Sequence, residues 1–146
     1  MGIYNCVSND SIALTFDDGP YNDYTWHLLD VLASYNVKAT FFVTGNNLGK
    51  GQVDIEETGY PKVLRRMHRD GHQIAAHTWT HQNLSTLTDQ QLENQMHYTE
   101  MAFRNVLGFF PTYMRPPYSE CNERCQVLMK KLGYHITYYS LITHGM

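Results

Sequence analysis

Cysteine is scarce in this chain, with only Cys6, Cys121 and Cys125 among 146 residues. That excludes a small scaffold built on disulfides, and no cysteine stands at ligand spacing with a histidine, which argues against a structural zinc site. Long apolar runs are also missing: no stretch approaches the roughly 20 residues of a membrane-spanning helix. Charge is sparse, 17% of residues with a net −3, and no basic cluster exceeds a pair such as Arg65 and Arg66. Neither nucleic acid nor membrane is therefore expected as a partner. The first residues lack the basic and apolar regions of a signal peptide. No repeat, low-complexity segment or linker interrupts the sequence, so residues 1–146 are read as one domain.

Apolar residues make up 42% of the chain, and eleven tyrosines raise its aromatic content. Aromatic side chains suit sugar recognition, but a packed α/β core is the expectation preferred here. Two sequons, Asn9-Asp-Ser11 and Asn83-Leu-Ser85, hint at secretion.

The apolar pattern alternates between strand and helix periods. Ser11 to Phe16 reads as a buried strand ended by the turn Asp17-Asp-Gly-Pro20, and Tyr24 to Tyr35 as a helix with Leu28, Leu29 and Leu32 on one face. Lys38 to Thr44 is strand-like, and Pro61 to Asp70 is a helix with proline at its start and Gly71 past its end. His72 to Ala76 reads as a strand, and Thr88 to Gln91 as a capping box opening a helix that stops at Gly108. A short strand at Tyr113, a helix from Asn122 to Leu132 and a last strand from Tyr134 to Ser140 complete the pattern. This alternation predicts an α/β fold with a parallel sheet, open or closing into a barrel. In such folds, chemistry sits at the C-terminal ends of strands.

Three polar groups fall at such ends. Asp17 and Asp18 follow the first strand. Adjacent carboxylates there cannot point the same way, so one can bind a cation while the other acts as a base, although ordinary turn chemistry would explain the same residues. His77-Thr-Trp-Thr-His81 follows the third strand. A helical turn would bring both imidazoles to one face, as a metal requires. Two surface histidines are the plainer alternative, and His27, His68, His72, His97 and His135 are read as that kind. Arg115-Pro-Pro-Tyr118 follows the fourth strand, its prolines fixing where Arg115 and Tyr118 project. A buried Arg115 would pair with the carboxylate that does not bind metal, whereas a rigid surface loop is the alternative.

Thr15-Phe-Asp-Asp-Gly-Pro20, His77-Thr-Trp-Thr-His81 and Arg115-Pro-Pro-Tyr-Ser119 together resemble, in order and spacing, the first three motifs of the polysaccharide deacetylase family, the NodB-homology domain. Their flanks are most similar to the fungal chitin deacetylase branch. The resemblance implies a (β/α) barrel and a metal-dependent hydrolase that removes N-acetyl groups from chitin or chito-oligosaccharides. Asp18, His77 and His81 would hold the divalent metal, zinc in most cases, with Co2+ or Mn2+ as alternatives. Asp17 would be the general base, Arg115 would orient it, and the Tyr118 backbone N–H would bind the oxyanion. Tyr118, Pro116 and Trp79 would contact substrate, and the family's setting implies an extracellular or cell-wall location.

Two further family motifs, one supplying a carboxylate behind the arginine and one a histidine as general acid, do not occur in their expected places. Leu141-Ile-Thr-His144 spells the acid motif but follows Arg115 too closely to occupy it. A barrel typically needs about 250 residues, so the expectation is a partial barrel lacking its last strand–helix units. Its final strand would present unpaired backbone groups, favouring edge association of an otherwise monomeric chain. A catalytically inactive metal- and carbohydrate-binding fragment is the competing reading, as is a deacetylase of xylan or peptidoglycan. Cys121 and Cys125 are expected to form a local disulfide if the protein is secreted, because helical spacing would bring their Cα atoms to about 6 Å. Cys6 would remain unpaired.

Overall fold

A computed structural model describes residues 2–8, 10–47 and 49–143. Asn9 of the first sequon and His144 of the acid-like tetrapeptide lie outside the described residues. Five strands form a single sheet in sequential order: β1 (Thr15–Asp17), β2 (Thr40–Val43), β3 (Gln73–Ala76), β4 (Tyr113–Met114) and β5 (His135–Ile136). Every pairing is parallel. Each crossover contains one α-helix: α1 (Asn22–Ser34), α2 (Tyr60–Arg69), α3 (Asp89–Leu107) and α4 (Glu123–Lys131). Strand order never reverses, so crossovers of the usual hand place all four helices on one face, the arrangement of a barrel wall. Consecutive helices accordingly pack on one another.

Local chemistry explains the best-defined elements. Thr88 caps α3 with a reciprocal capping box to Gln91, and Gly108 closes the helix at φ 81°. The α3 stripe of Leu92, Met96, Phe103 and Val106 is buried as its spacing predicts. It packs in one core with Leu29, Leu64, Met67, Met114 and Met129.

Several expectations need correction. The strand expected over 11–16 is confined to β1, and Ile12 and Leu14 are exposed. The last strand shrinks to His135–Ile136, and its edge is not bare. Ile3 donates its N–H to the Ile136 carbonyl and accepts from the Tyr138 N–H, both at 2.8 Å, while Tyr4 stacks on the Tyr138 ring. The tyrosines do not mainly fill the core: Tyr60 and Tyr134 alone are buried, and Tyr24, Tyr35, Tyr98 and Tyr118 are among those exposed. His72 is no surface histidine either; it is 5% exposed and accepts the Ala39 N–H at Nδ1. The Cys121–Cys125 disulfide is present with Cα atoms 5.2 Å apart. It bridges across the N-cap residue Asn122 rather than along a helix face, because α4 begins only at Glu123. Cys6 is exposed and free.

Candidate metal centre

The C-terminal ends of β1 to β4 deliver the expected residues to one place. Asp17 ends β1 and Asp18 follows it at φ 67°, a left-handed conformation uncommon for a residue with a Cβ. His77 follows β3, and ligand atoms of Asp18, His77 and His81 lie within 4.8 Å of one another. His81 Nε2 is 3.2 Å and His77 Nε2 is 3.8 Å from Asp18 Oδ1.

The donor set suits a divalent cation by its protonation as well as its spacing. His77 Nδ1 lies 2.7 Å from the Arg115 carbonyl, which can only accept, so Nδ1 carries the proton and Nε2 offers its lone pair. Burial lowers the His77 pKa against the opposing pull of Asp17 and Asp18, favouring the neutral ring that ligation needs.

The two imidazoles meet without a helix. Residues 77–81 form an irregular turn in which Thr78 and His81 both have positive φ, 69° and 57°. Such backbone costs about 1–2 kcal/mol per residue and persists only where surroundings fix it. Gln95 of α3 does so: its Oε1 accepts the N–H groups of Trp79 and Thr80 at 3.0 and 2.8 Å, and its Nε2 donates to the Thr80 hydroxyl. Thr78 Oγ1 accepts the His81 N–H.

Arg115 is 4% exposed and reaches Asp17 from the fourth strand end. Its Nη1 donates to Asp17 Oδ1 at 2.8 Å and to Thr15 Oγ1 at 2.9 Å, and Nη2 donates to the Tyr138 carbonyl at 3.1 Å. The guanidinium lies 4.1 Å from the Phe42 ring centroid, while Nε is buried without a partner among the described residues. Asp17 Oδ2 stands 4.0 Å from His77 Nε2, so the two carboxylates differ chiefly in their other partners. Asp17 is held by a cation and Asp18 faces both imidazoles.

A group after β2 was missed in the sequence. Lys50 Nζ donates to the carbonyls of Asp18 and Gly19 and to Thr44 Oγ1 at 2.8–3.0 Å. Burial lowers the Lys50 pKa to about 7, with Asp18 opposing the shift. Asn47, itself buried, donates to Asp18 Oδ1 at 3.3 Å. Residue types gave no signal for these two; their place just after a strand end was the only clue.

The remaining expected residues separate. Tyr118 is exposed at φ 58°, its ring 4.9 Å from that of His81. It lines a cleft of about 750 Å3 with Asn47, His81, Gln82, Asn83 and Glu120 among others. Its N–H has no backbone acceptor among the described residues. Pro116 is buried beneath this loop. Trp79 is not part of the cleft lining; its indole packs where a side chain on Gly45 would otherwise stand and tilts against Tyr98.

The polysaccharide deacetylase family profile matches residues 4–137. A chitin deacetylase of Colletotrichum lindemuthianum is 44% identical over 134 residues, 92% of this chain and 52% of that one. A peptidoglycan-N-acetylglucosamine deacetylase of Listeria monocytogenes is 38% identical over 136 residues, 93% of this chain and 27% of its own length. The solved chitin deacetylase structure from Colletotrichum lindemuthianum superposes with a TM-score of 0.89 at 41% identity, covering 94% of this chain and 59% of the other. The chain thus spans about half the length, or less, of the curated relatives it matches.

Proposed function

Because this chain belongs to the polysaccharide deacetylase family, we propose that it is a metal-dependent hydrolase that removes N-acetyl groups from N-acetylglucosamine units of chitin or chito-oligosaccharides. The observation that carries the reading is the Asp18–His77–His81 triad beside a separate, arginine-held Asp17. Asp18, His77 and His81 would hold the cation, and zinc suits two imidazoles and one carboxylate. When bound, it would supply Lewis acidity, polarising the acetyl carbonyl and acidifying a water.

The chain's own residues divide the rest of the work. Asp17 takes a proton from the attacking water at Oδ2, the oxygen not engaged by Arg115. Arg115 fixes the Asp17 carboxylate in place through the Nη1–Oδ1 hydrogen bond. The free Tyr118 N–H donates to the acetyl oxygen as charge develops on it. A C–O bond forms at the acetyl carbon and the C–N bond breaks as the nitrogen takes up a proton, giving acetate and an amine on the sugar, and the proton held by Asp17 returns to solvent.

The similarity to chitin deacetylases at 44–45% identity, against 38% for the Listeria peptidoglycan enzyme, supports chitin as the substrate. The Cys121–Cys125 disulfide supports an extracellular setting. The test is acetate release from chito-oligosaccharides by zinc-loaded protein, with metal stoichiometry measured in parallel. One metal per chain and acetate release are expected, both lost in the double variant His77→Ala, His81→Ala. No bound metal after zinc reconstitution, or full stoichiometry in the double variant, would overturn the site.

A further inference from the structure

The cleft beside His81 contains an acidic group that the hydrolytic scheme does not use. Glu120 follows the Pro117–Ser119 turn and lines the cleft with Asn47, Gln82, Asn83 and Tyr118. Its Oε2 accepts from Asn83 Nδ2 at 2.5 Å, while Asn83 Oδ1 accepts the Ser85 N–H, so the amide cannot flip and the carboxylate is aimed rather than free. Neither Lys nor Arg lines the cleft among the described residues. The lining therefore offers amides and hydroxyls, from Asn47, Gln82, Thr80 and Thr86, the His81 imidazole, an exposed Tyr118 ring, and the Glu120 carboxylate with no Lys or Arg in the lining beside it.

Amides, hydroxyls and an aromatic face suit a sugar chain, but N-acetylated units are neutral and give the carboxylate nothing to pair with. The proposed reaction creates the missing partner, because each hydrolysed acetamide leaves an amine that is protonated at mildly acidic pH. We propose that Glu120 is a specificity-determining residue that binds the ammonium of an already deacetylated glucosamine unit flanking the unit to be cut. The chain then recognises a partly deacetylated, cationic glycan in preference to a fully acetylated one. This assignment rests on the hydrolase reading above for the origin of the amine, but its binding test does not depend on turnover.

Glucosamine and N-acetylglucosamine tetrasaccharides are titrated into the protein without added metal, at mildly acidic pH and at low and high salt. The glucosamine tetramer is expected to bind about three- to fivefold more tightly at low salt, as for one exposed ion pair. The difference should shrink with added salt and vanish in Glu120→Gln, an isosteric change at an exposed position. No preference in the wild type, or one that salt does not screen, overturns the proposal even if the variant does not fold. A preference kept by folded Glu120→Gln overturns it too. Acetate release from fully acetylated tetramer, measured separately with zinc, reports on the hydrolase reading alone.

Discussion

Arg115 and Asp17, ninety-eight positions apart, meet with Nη1 2.8 Å from Oδ1. The arginine is buried and the carboxylate half-buried, so the pair is more than a surface ion pair. Asp17→Asn removes the proton acceptor and leaves the buried Arg115 without its anion; its expected effect is a fall in kcat of about 10²–10⁴ together with a lower melting temperature. Arg115→Met leaves Asp17 without its cation and should destabilise the fold by about 2–4 kcal/mol, toward the range for a broken buried pair. Steady-state kinetics and urea melts of both variants check this; an Asp17→Asn enzyme with normal kcat removes Asp17 from the reaction.

Gln95 stands outside the three sequence motifs yet braces the turn that carries both imidazoles. Gln95→Leu would leave the Trp79 and Thr80 N–H groups unpaired, at a cost of about 1–3 kcal/mol. The loosened turn should also weaken zinc binding by about tenfold, the lower end for partners that orient ligands. Competition with a chelator measures the affinity, and an unchanged Kd would reduce Gln95 to a packing residue.

His72 supplies a pH dependence distant from the metal ligands. Burial, with Lys38 next, lowers its pKa below the usual 6.5; Asp70 opposes the shift and Arg66 adds to it. The unfolded chain therefore binds more protons than the folded one between the depressed value and about 6.5. The contribution is fully present above that window and is lost as pH falls through it. His72→Asn retains an acceptor for the Ala39 N–H and should flatten this part of the stability profile. Parallel melts of wild type and variant across mildly acidic pH test it, and identical slopes would refute it.

The Cys121–Cys125 bridge closes a very short loop, so its reduction should cost only about 2 kcal/mol on the chain-entropy account. Thiol titration of denatured protein should give one free thiol before reduction, from Cys6, and three after it. Three before reduction would show that the bridge does not form in solution.

The elements and the candidate ligands were legible because each has a local signature: a capping box at Thr88, a stripe on α3, and paired acids or histidines just after a strand. Gln95, Asn47 and Lys50 have none. Their importance arises from backbone groups more than a dozen residues away, or from a loop whose course no period predicts. The turn at 77–81 departs from a helical turn for a related reason. The spacing of the two histidines fits a helix, but Gln95 pays the conformational cost of a different path. His72 and the tyrosines show the converse, since burial depends on the whole assembly and not on residue type. Ile3 was invisible because a single residue bridging to Thr137 leaves no pattern at all.

That bridge connects Ile3 to the candidate metal centre. Ile3 accepts from the Tyr138 N–H, the Tyr138 carbonyl accepts from Arg115, and Arg115 holds Asp17. Three hydrogen bonds thus form a tether from the third residue to the proposed base. An affinity tag or fusion partner placed ahead of Ile3 would therefore join the chain three hydrogen bonds away from that carboxylate.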